Sequence, residues 1–228
     1  MYNVMTDYKK LKEMLIEKGA SFVGFSSVKG IPEAGEYSGA ITIGIKLLDS
    51  YFEEVKKDSA PTYEYFHHYR TVNFALDQLA LFASLRLEKE GHKVKMIPAS
   101  QSSVTDPYKG AFPHKTAAYR SNNGFIGKNA LFIHYDYGSK VRLATVLVDE
   151  ELTPDVEKRN VSCGKCRICV DACPAQAITG NDFYEGCERS HIFDAKKCSD
   201  HMKNAYKHIG RGSVCGICIA KCPFNRIK

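Results

Sequence analysis

The spacing of the cysteines constrains this 228-residue chain more than any other feature. All nine cysteines follow residue 160. Four of them fall in a run CGKCRICVDACP that starts at Cys163, three in a shorter run CGICIAKCP that starts at Cys215, and Cys187 and Cys198 lie between the two runs. Three thiols at two-residue intervals fit on one tight loop, whereas a fourth on the following helical turn cannot reach the same centre. The pattern predicts that the last third of the chain is built around thiol-bound metal.

Zinc and disulfides are the alternatives to a cluster. Structural zinc favours two separated Cys pairs or Cys/His pairs, and the first run offers too many thiolates in one loop. Disulfides need an oxidising compartment. The N-terminal segment is charged throughout and lacks the apolar core of a signal peptide. The chain also has no stretch of eighteen or more apolar residues. We therefore expect a cytoplasmic protein with no membrane segment and reduced thiols.

Two iron-sulfur clusters explain the spacing. In bacterial two-cluster ferredoxins, the Cys that precedes Pro binds the other cluster. Cluster one would accordingly be held by Cys163, Cys166, Cys169 and Cys222, and cluster two by Cys173, Cys198, Cys215 and Cys218. Cys187 is left over, as a free thiol or as a substitute for Cys198.

The rest of the chain predicts an α+β protein. We expect an N-terminal α/β layered domain, with a mixed sheet and flanking helices, over 1–155, followed by a ferredoxin-like double-cluster module over 156–228. Apolar periodicity and Gly or Pro boundaries predict a first helix that is capped by Thr6 or Asp7 and ends at Gly19, and further helices over about 61–90 and over 114–122. They predict strands over 22–25, 40–47 and 93–97, and a β-hairpin formed by 130–135 and 141–149. A long Ser-rich loop, 99–114, is typical of a functional segment.

Size and charge bear on function. A ferredoxin module needs about sixty residues, so the first 155 residues must do more than carry electrons, which favours an enzyme. The net charge of +6 suits an anionic partner such as RNA or an acidic redox protein. Because the basic residues are scattered in short pairs, an ordinary solvated surface explains the charge equally well.

Several segments together resemble one family. They are GFIGKN at 124–129, VLVD at 146–149, the CxxCxxCxxxCP run, FDAKKC at 193–198 and the final CGxCxxxCPFN. Over most of its length the chain is similar to epoxyqueuosine reductase and its relatives, the cobalamin- and iron-sulfur-dependent reductases that include reductive dehalogenases.

The resemblance implies that the clusters pass electrons to cobalamin, which cleaves a carbon–oxygen or carbon–halogen bond. It places the corrin over the α/β layer beside cluster two. Six residues are the implied corrin contacts: Lys46, Gly127, Lys128, Asn129, Phe132 and Leu143. A low-potential donor such as ferredoxin or flavodoxin would supply electrons, and the substrate would be a small molecule or a nucleoside.

Two departures from the family concern the substrate. Epoxyqueuosine reductases carry a proton-donating Asp upstream of the segment that corresponds to GFIGKN. Counting back from this segment without gaps places Tyr108 at that position, and Asp106 lies two residues away. Either could protonate a leaving oxygen, although Asp-Pro-Tyr is also typical of an ordinary turn. The chain ends six residues after Cys222, whereas tRNA-modifying members continue, which disfavours tRNA as substrate. Both departures also favour an alternative, a ferredoxin-like electron-transfer protein without corrinoid chemistry.

Overall fold

The computed structural model describes residues 6–100 and 106–226 of the chain. These form two compact units that are each discontinuous in sequence. The first contains Met1–Lys46, Val72–Asn123 and Arg142–Lys158, and the second contains Leu47–Thr71, Gly124–Val141 and Arg159–Lys228. A single division at residue 155, as predicted from sequence, would leave Leu47–Thr71 and Gly124–Val141 with the first unit.

The first unit is built on a four-stranded sheet of order β1-β2-β6-β3. Its β1 pairs antiparallel with β2, and β3 pairs antiparallel with β6. The strands are β1 (Phe22–Ser27), β2 (Gly39–Lys46), β3 (Val94–Ile97) and β6 (Val141–Val148), and the helices are α1 (Tyr8–Glu17), α4 (His114–Arg120) and the part of α3 (Tyr63–Lys89) that follows Thr71.

Both faces of this sheet are covered. Residues 40–44 of β2 are buried without alternation, as are residues 143–148 of β6. Such continuous burial is expected where helices pack on both faces. On one side α1 buries Leu11 and Leu15. Its N-cap is Asp7, whose carboxylate accepts a hydrogen bond from the Lys10 N–H at 2.9 Å, as predicted.

The predicted helix over about 61–90 is confirmed, but the helix that precedes it was not predicted. The structure has α3 over Tyr63–Lys89, preceded by a separate helix α2 over Asp49–Asp58 that the sequence reading missed. The turn between them begins at Ser59, which adopts a left-handed conformation with φ of 49°. The signal for α2 was present, because Phe52 and Val55 recur at helical spacing and are buried.

The predicted hairpin of 130–135 with 141–149 is wrong. The segment GFI forms β4 (Gly124–Ile126) and pairs antiparallel with β5 (Phe132–His134) in a separate two-stranded sheet, whereas β6 belongs to the four-stranded sheet. The chain reverses between β4 and β5 at Ala130, where φ is 57°, and the Gly127 N–H donates to the Leu131 carbonyl at 2.9 Å. The alternation over 130–135 and 141–149 predicts two strands, and both are present, but no strand was predicted over 124–126 to pair with β5.

The second unit is otherwise loops and short helices. Beyond β4, β5, α2 and the first turns of α3, it contains α5 (Ile168–Asp171), α6 (Arg189–Ile192), α7 (Ala195–Ala205), α8 (Ile217–Ala220) and a 3-10 turn (Pro223–Arg226). All nine cysteines lie in this unit and none is in a disulfide. The α+β class predicted from the sequence is confirmed.

Candidate functional site: two groups of cysteines

Four cysteines from opposite ends of the module surround one cavity. They come from the loop before α5 (Cys163, Cys166), from α5 itself (Cys169) and from the residue after the turn that follows α8 (Cys222). The other lining residues are Asn129, Ile133, Pro223 and Phe224. Cys222 and Cys169 are buried. The loop folds tightly because the Cys166 N–H donates to the Cys163 carbonyl at 3.0 Å. This is the set predicted for cluster one.

The remaining four predicted ligands form a second group. Cys198 lies close enough to Cys215 and Cys173 for their charges to raise its pKa. The charges of Cys198, Cys215 and Cys173 likewise raise the pKa of Cys218. Cys198 is presented by α7, whose N-cap Asp194 accepts a hydrogen bond from the Lys197 N–H at 3.0 Å. Ligation of a metal by either group stays a prediction.

Burial sets the protonation of these thiols. It raises the pKa of Cys169 and of Cys198 to about 11, and it raises the pKa of Cys218 well above the ordinary value. Neighbouring thiols raise these pKa values further. The metal-free thiols of Cys169, Cys198 and Cys218 are therefore protonated at neutral pH, and binding of iron must displace their protons.

The odd cysteine lies apart in the sequence from both runs. Cys187 is in the turn before α6, where its backbone N–H donates to the Tyr184 carbonyl at 3.1 Å. Its role as a free thiol or as a substitute for Cys198 stays open.

An asparagine that the sequence reading did not single out fixes the end of the chain that carries Cys222. Asn225 accepts hydrogen bonds through Oδ1 from the Ser139 N–H at 2.9 Å and from the Ser139 hydroxyl at 3.1 Å. Its Nδ2 donates to the Ile219 carbonyl at 2.6 Å. Gly138 must lack a side chain, because a Cβ there would lie 2.5 Å from Asn225 Oδ1. The CPFN segment was visible in the sequence, but the polar contact was not.

Phe224 fixes the same segment from its apolar side. Its ring meets the Phe125 ring edge-on, with centroids 5.1 Å apart. Phe125, Ile133, Tyr135 and Cys222 form one buried apolar cluster against which Phe224 packs. The β4–β5 hairpin and the C-terminal turn are thereby held together around the first group of cysteines.

The tip of the β4–β5 hairpin carries three of the predicted corrin contacts. Gly127, Lys128 and Asn129 form the turn, and Phe132 follows in β5. A Cβ on Gly127 would lie 2.4 Å from Ile133 Cδ1, so a side chain there would have to displace the buried Ile133 side chain. Asn129 lines the cavity of the first cysteine group, and the Lys128 ammonium donates to the Gly164 carbonyl at 2.7 Å. This turn therefore borders the predicted cluster one, although the resemblance implied a corrin beside cluster two.

The other predicted contacts lie in the first unit. Lys46 ends β2, and the buried Leu143 lies on the neighbouring strand β6. The proposed acids share one turn, in which the Asp106 carboxylate accepts a hydrogen bond from the Tyr108 N–H at 2.8 Å. This local bond is the one expected of an ordinary Asp-Pro turn. Residues 101–105 of the Ser-rich loop lie outside the described residues.

Two further observations concern metal and membrane. Within 6–100 and 106–226, no three His, Cys, Asp or Glu side chains converge on a point where one metal ion could bind. The cysteines of the first group line the walls of a cavity instead. Across the same residues, no helix has the length and apolar character needed to span a bilayer.

Known proteins resemble the cysteine-rich region of the chain and also most of its length. Residues 162–225 match the family of the 4Fe-4S double cluster binding domain. Epoxyqueuosine reductase from Cellulophaga algicola is 28% identical over 193 residues, which cover 78% of this chain and 56% of that protein. Tetrachloroethene reductive dehalogenase from Desulfitobacterium hafniense is 33% identical over 127 residues, which cover 49% of this chain and 22% of that protein.

The fold agrees with the sequence matches. A solved reductive dehalogenase, whose structure is described as suggesting a mechanism for B12-dependent dehalogenation, aligns with a TM-score of 0.71 and 18% identity over 95% of this chain and 31% of its own. The chain thus spans less than two thirds of the curated relatives named here. The chain is similar to the epoxyqueuosine reductases and reductive dehalogenases, and its residues 162–225 match the 4Fe-4S double cluster binding domain.

Proposed function

We propose that this protein is an iron-sulfur reductase that delivers electrons through two [4Fe-4S] clusters to a bound cobalamin, which reductively cleaves a substrate bond. The observation that carries the proposal is the combination of a double cluster binding domain with similarity to the reductases over most of the chain. A bare electron carrier would need only the former.

The first group of cysteines suits a multi-iron cluster. Four thiols around the walls of one cavity present soft ligands to several irons at once. Backbone N–H groups of Lys128 and Phe224 donate to the Cys163 and Cys222 thiols, which is the outer shell that stabilises a thiolate. The second group has the same donor chemistry, with the Ala177 N–H donating to Cys173 Sγ at 3.4 Å.

We propose that cobalamin is held by Lys46, Gly127, Lys128, Asn129, Phe132 and Leu143. When bound, a corrin supplies the low-valent cobalt chemistry that breaks the substrate bond. The chain contributes a strand end with a cation at Lys46, a glycine turn that admits close approach of backbone, and apolar side chains at Phe132 and Leu143.

Asp106 and Tyr108 are the proposed proton donors for the leaving group. Either the carboxyl of Asp106 or the phenol of Tyr108 could donate a proton to an oxygen leaving group. Only one of the two therefore needs to be positioned at the substrate. The proposed substrate is a small molecule or a nucleoside. A tRNA is the second choice, since one related epoxyqueuosine reductase has been solved with a modified tRNA stem loop.

A basic cavity offers a docking place for the proposed ferredoxin or flavodoxin. It has a volume of about 230 Å³, is lined in part by Cys222, and carries Lys56, Lys140 and Lys221 against a single Glu53. Lys140 is ion-paired with Asp49, and the Lys221 ammonium donates to the Lys56 carbonyl at 2.9 Å. An acidic donor docked here would reach the predicted cluster one, with a rate that falls as salt is raised.

The experiment is anaerobic reconstitution with iron, sulfide and cobalamin, followed by gel filtration. The proposal expects about eight irons per chain and a corrin spectrum that elutes with the protein. A protein that retains its iron but no cobalamin would refute the reductase and leave the electron-transfer alternative. The similarity to reductases outside residues 162–225 does not favour that alternative.

A further inference from the structure

Asn129 lines the cavity of the first cysteine group and has a buried amide donor without a partner among the described residues. The residue is 3% exposed, and its Oδ1 accepts a hydrogen bond from the Leu131 N–H at 3.2 Å. That bond fixes the orientation of the amide, because a backbone N–H can face only the oxygen. Nδ2 is then left buried, with no hydrogen-bond partner among the residues that the structure describes.

A buried amide N–H without a partner is costly, because it has given up its hydrogen bonds to water. Asn129 lines the same cavity as Cys163, Cys166, Cys169 and Cys222. A cluster sulfur in this cavity would accept the free N–H. The Asn129 Nδ2 would therefore find its partner in the group that the cavity is proposed to hold, since none of the described residues supplies one.

Lys128, the preceding residue, adds a buried positive charge at the same place. Its side chain is 8% exposed, and its ammonium donates to the carbonyl of Gly164, within the cysteine loop. Its backbone N–H donates to the Cys163 thiol. The nearest carboxylate, Asp182, is 3.7 Å away but 68% exposed, so solvent screens its charge more than it screens that of Lys128.

Hydrogen bonds to cluster sulfur and a nearby cation change the reduction potential of a cluster in the same direction. Reduction adds a negative charge to the cluster, and both contacts stabilise that charge, which raises the reduction potential. We infer that Lys128 and Asn129 are positioning residues that raise the reduction potential of cluster one, through the Asn129 amide donor and the Lys128 charge. The inference rests on the proposed double-cluster function, and it assigns to these side chains a role at the cluster in addition to any contact with cobalamin.

The test is a redox titration of anaerobically reconstituted protein followed by electron paramagnetic resonance. Cluster one is identified as the signal lost in C222S. We expect N129L and K128Q each to lower the ratio of reduced to oxidised cluster one, at fixed potential, by about tenfold, equivalent to 59 mV for a one-electron couple. Cluster two should shift less. K128R, which keeps the charge, should restore most of the wild-type value.

The matched control is Lys165, an exposed lysine in the same cysteine loop. K165Q removes the same charge in solvent and should change the ratio by less than about twofold, because water screens it. If N129L fails to assemble cluster one, K128Q compared with K128R decides the matter. Cluster-one ratios within twofold of wild type in both N129L and K128Q, or in K128Q alone where N129L lacks the cluster, would overturn the inference. A wild-type protein without [4Fe-4S] signals would instead refute the proposed function.

Discussion

Replacing Asn225 by alanine should loosen the ligand that closes the predicted cluster one. The substitution removes three hydrogen bonds, two from Ser139 and one to the Ile219 carbonyl. Each is worth about 1 kcal/mol net, and the Ser139 N–H, in a residue only 2% exposed, loses its partner as well. The segment that carries Cys222 should therefore open more easily by about 2–4 kcal/mol.

The assay is the rate at which anaerobic protein loses iron to a ferrous chelator. If release requires local opening of this segment, a cost lowered by 2–4 kcal/mol accelerates release of about half the iron by roughly 30- to 1000-fold. The matched control is N204A, which truncates an exposed asparagine on α7. Release from N225A within threefold of wild type would refute the reasoning, because the three bonds would then contribute nothing to holding Cys222.

The remaining predictions concern ligand assignment and pH. C222S should lower iron from about eight to about four per chain, whereas C187S should keep about eight; equal losses in both would contradict the assignment. The pKa of His114 is lowered to about 4, chiefly by burial and also by the charges of Arg142 and Lys115, against the opposing effect of the hydrogen bond to the Pro98 carbonyl. His114 takes up its proton near pH 6.5 in the unfolded chain but only near pH 4 in the folded protein. The free energy of unfolding is therefore highest above pH 6.5 and decreases as the pH falls toward 4. The shift corresponds to about 3 kcal/mol. H114Q should remove that part of the pH dependence in urea unfolding, and curves that stay parallel to wild type from pH 7 to 4 would exclude it.

The cysteine groups could be predicted because ligand spacing is a local property of the chain. The run from Cys163 to Cys173 predicts a loop and a helical turn. In the structure Cys222 lies with the first three thiols around one cavity, as predicted for the fourth ligand of cluster one. The strands β1, β2 and β3 and the helix α1 were also predictable, since periodicity and capping residues are written in consecutive positions.

Strand pairing was not predictable to the same degree. The alternation in 130–135 and 141–149 indicated two strands, yet their partners are β4 for one and the four-stranded sheet for the other. Pairing depends on contacts between distant segments, which periodicity does not encode. The Asn225–Ser139 contact joins residues 86 positions apart and was missed for the same reason.

The roles of Lys128 and Asn129 show a further limit of sequence reasoning. The resemblance assigned both to a corrin, and the GFIGKN letters alone could not show that the ammonium and the amide face the cysteine loop and its cavity. Their orientation is set by the Gly127 turn and by the Leu131 N–H.

The most direct test of the proposed reductase is iron, sulfide and cobalt quantification on protein purified without oxygen and supplied with cobalamin. The account predicts about eight irons, about eight labile sulfides and one cobalt per chain. A protein that contains mainly zinc, or that holds iron but never cobalt, would contradict it.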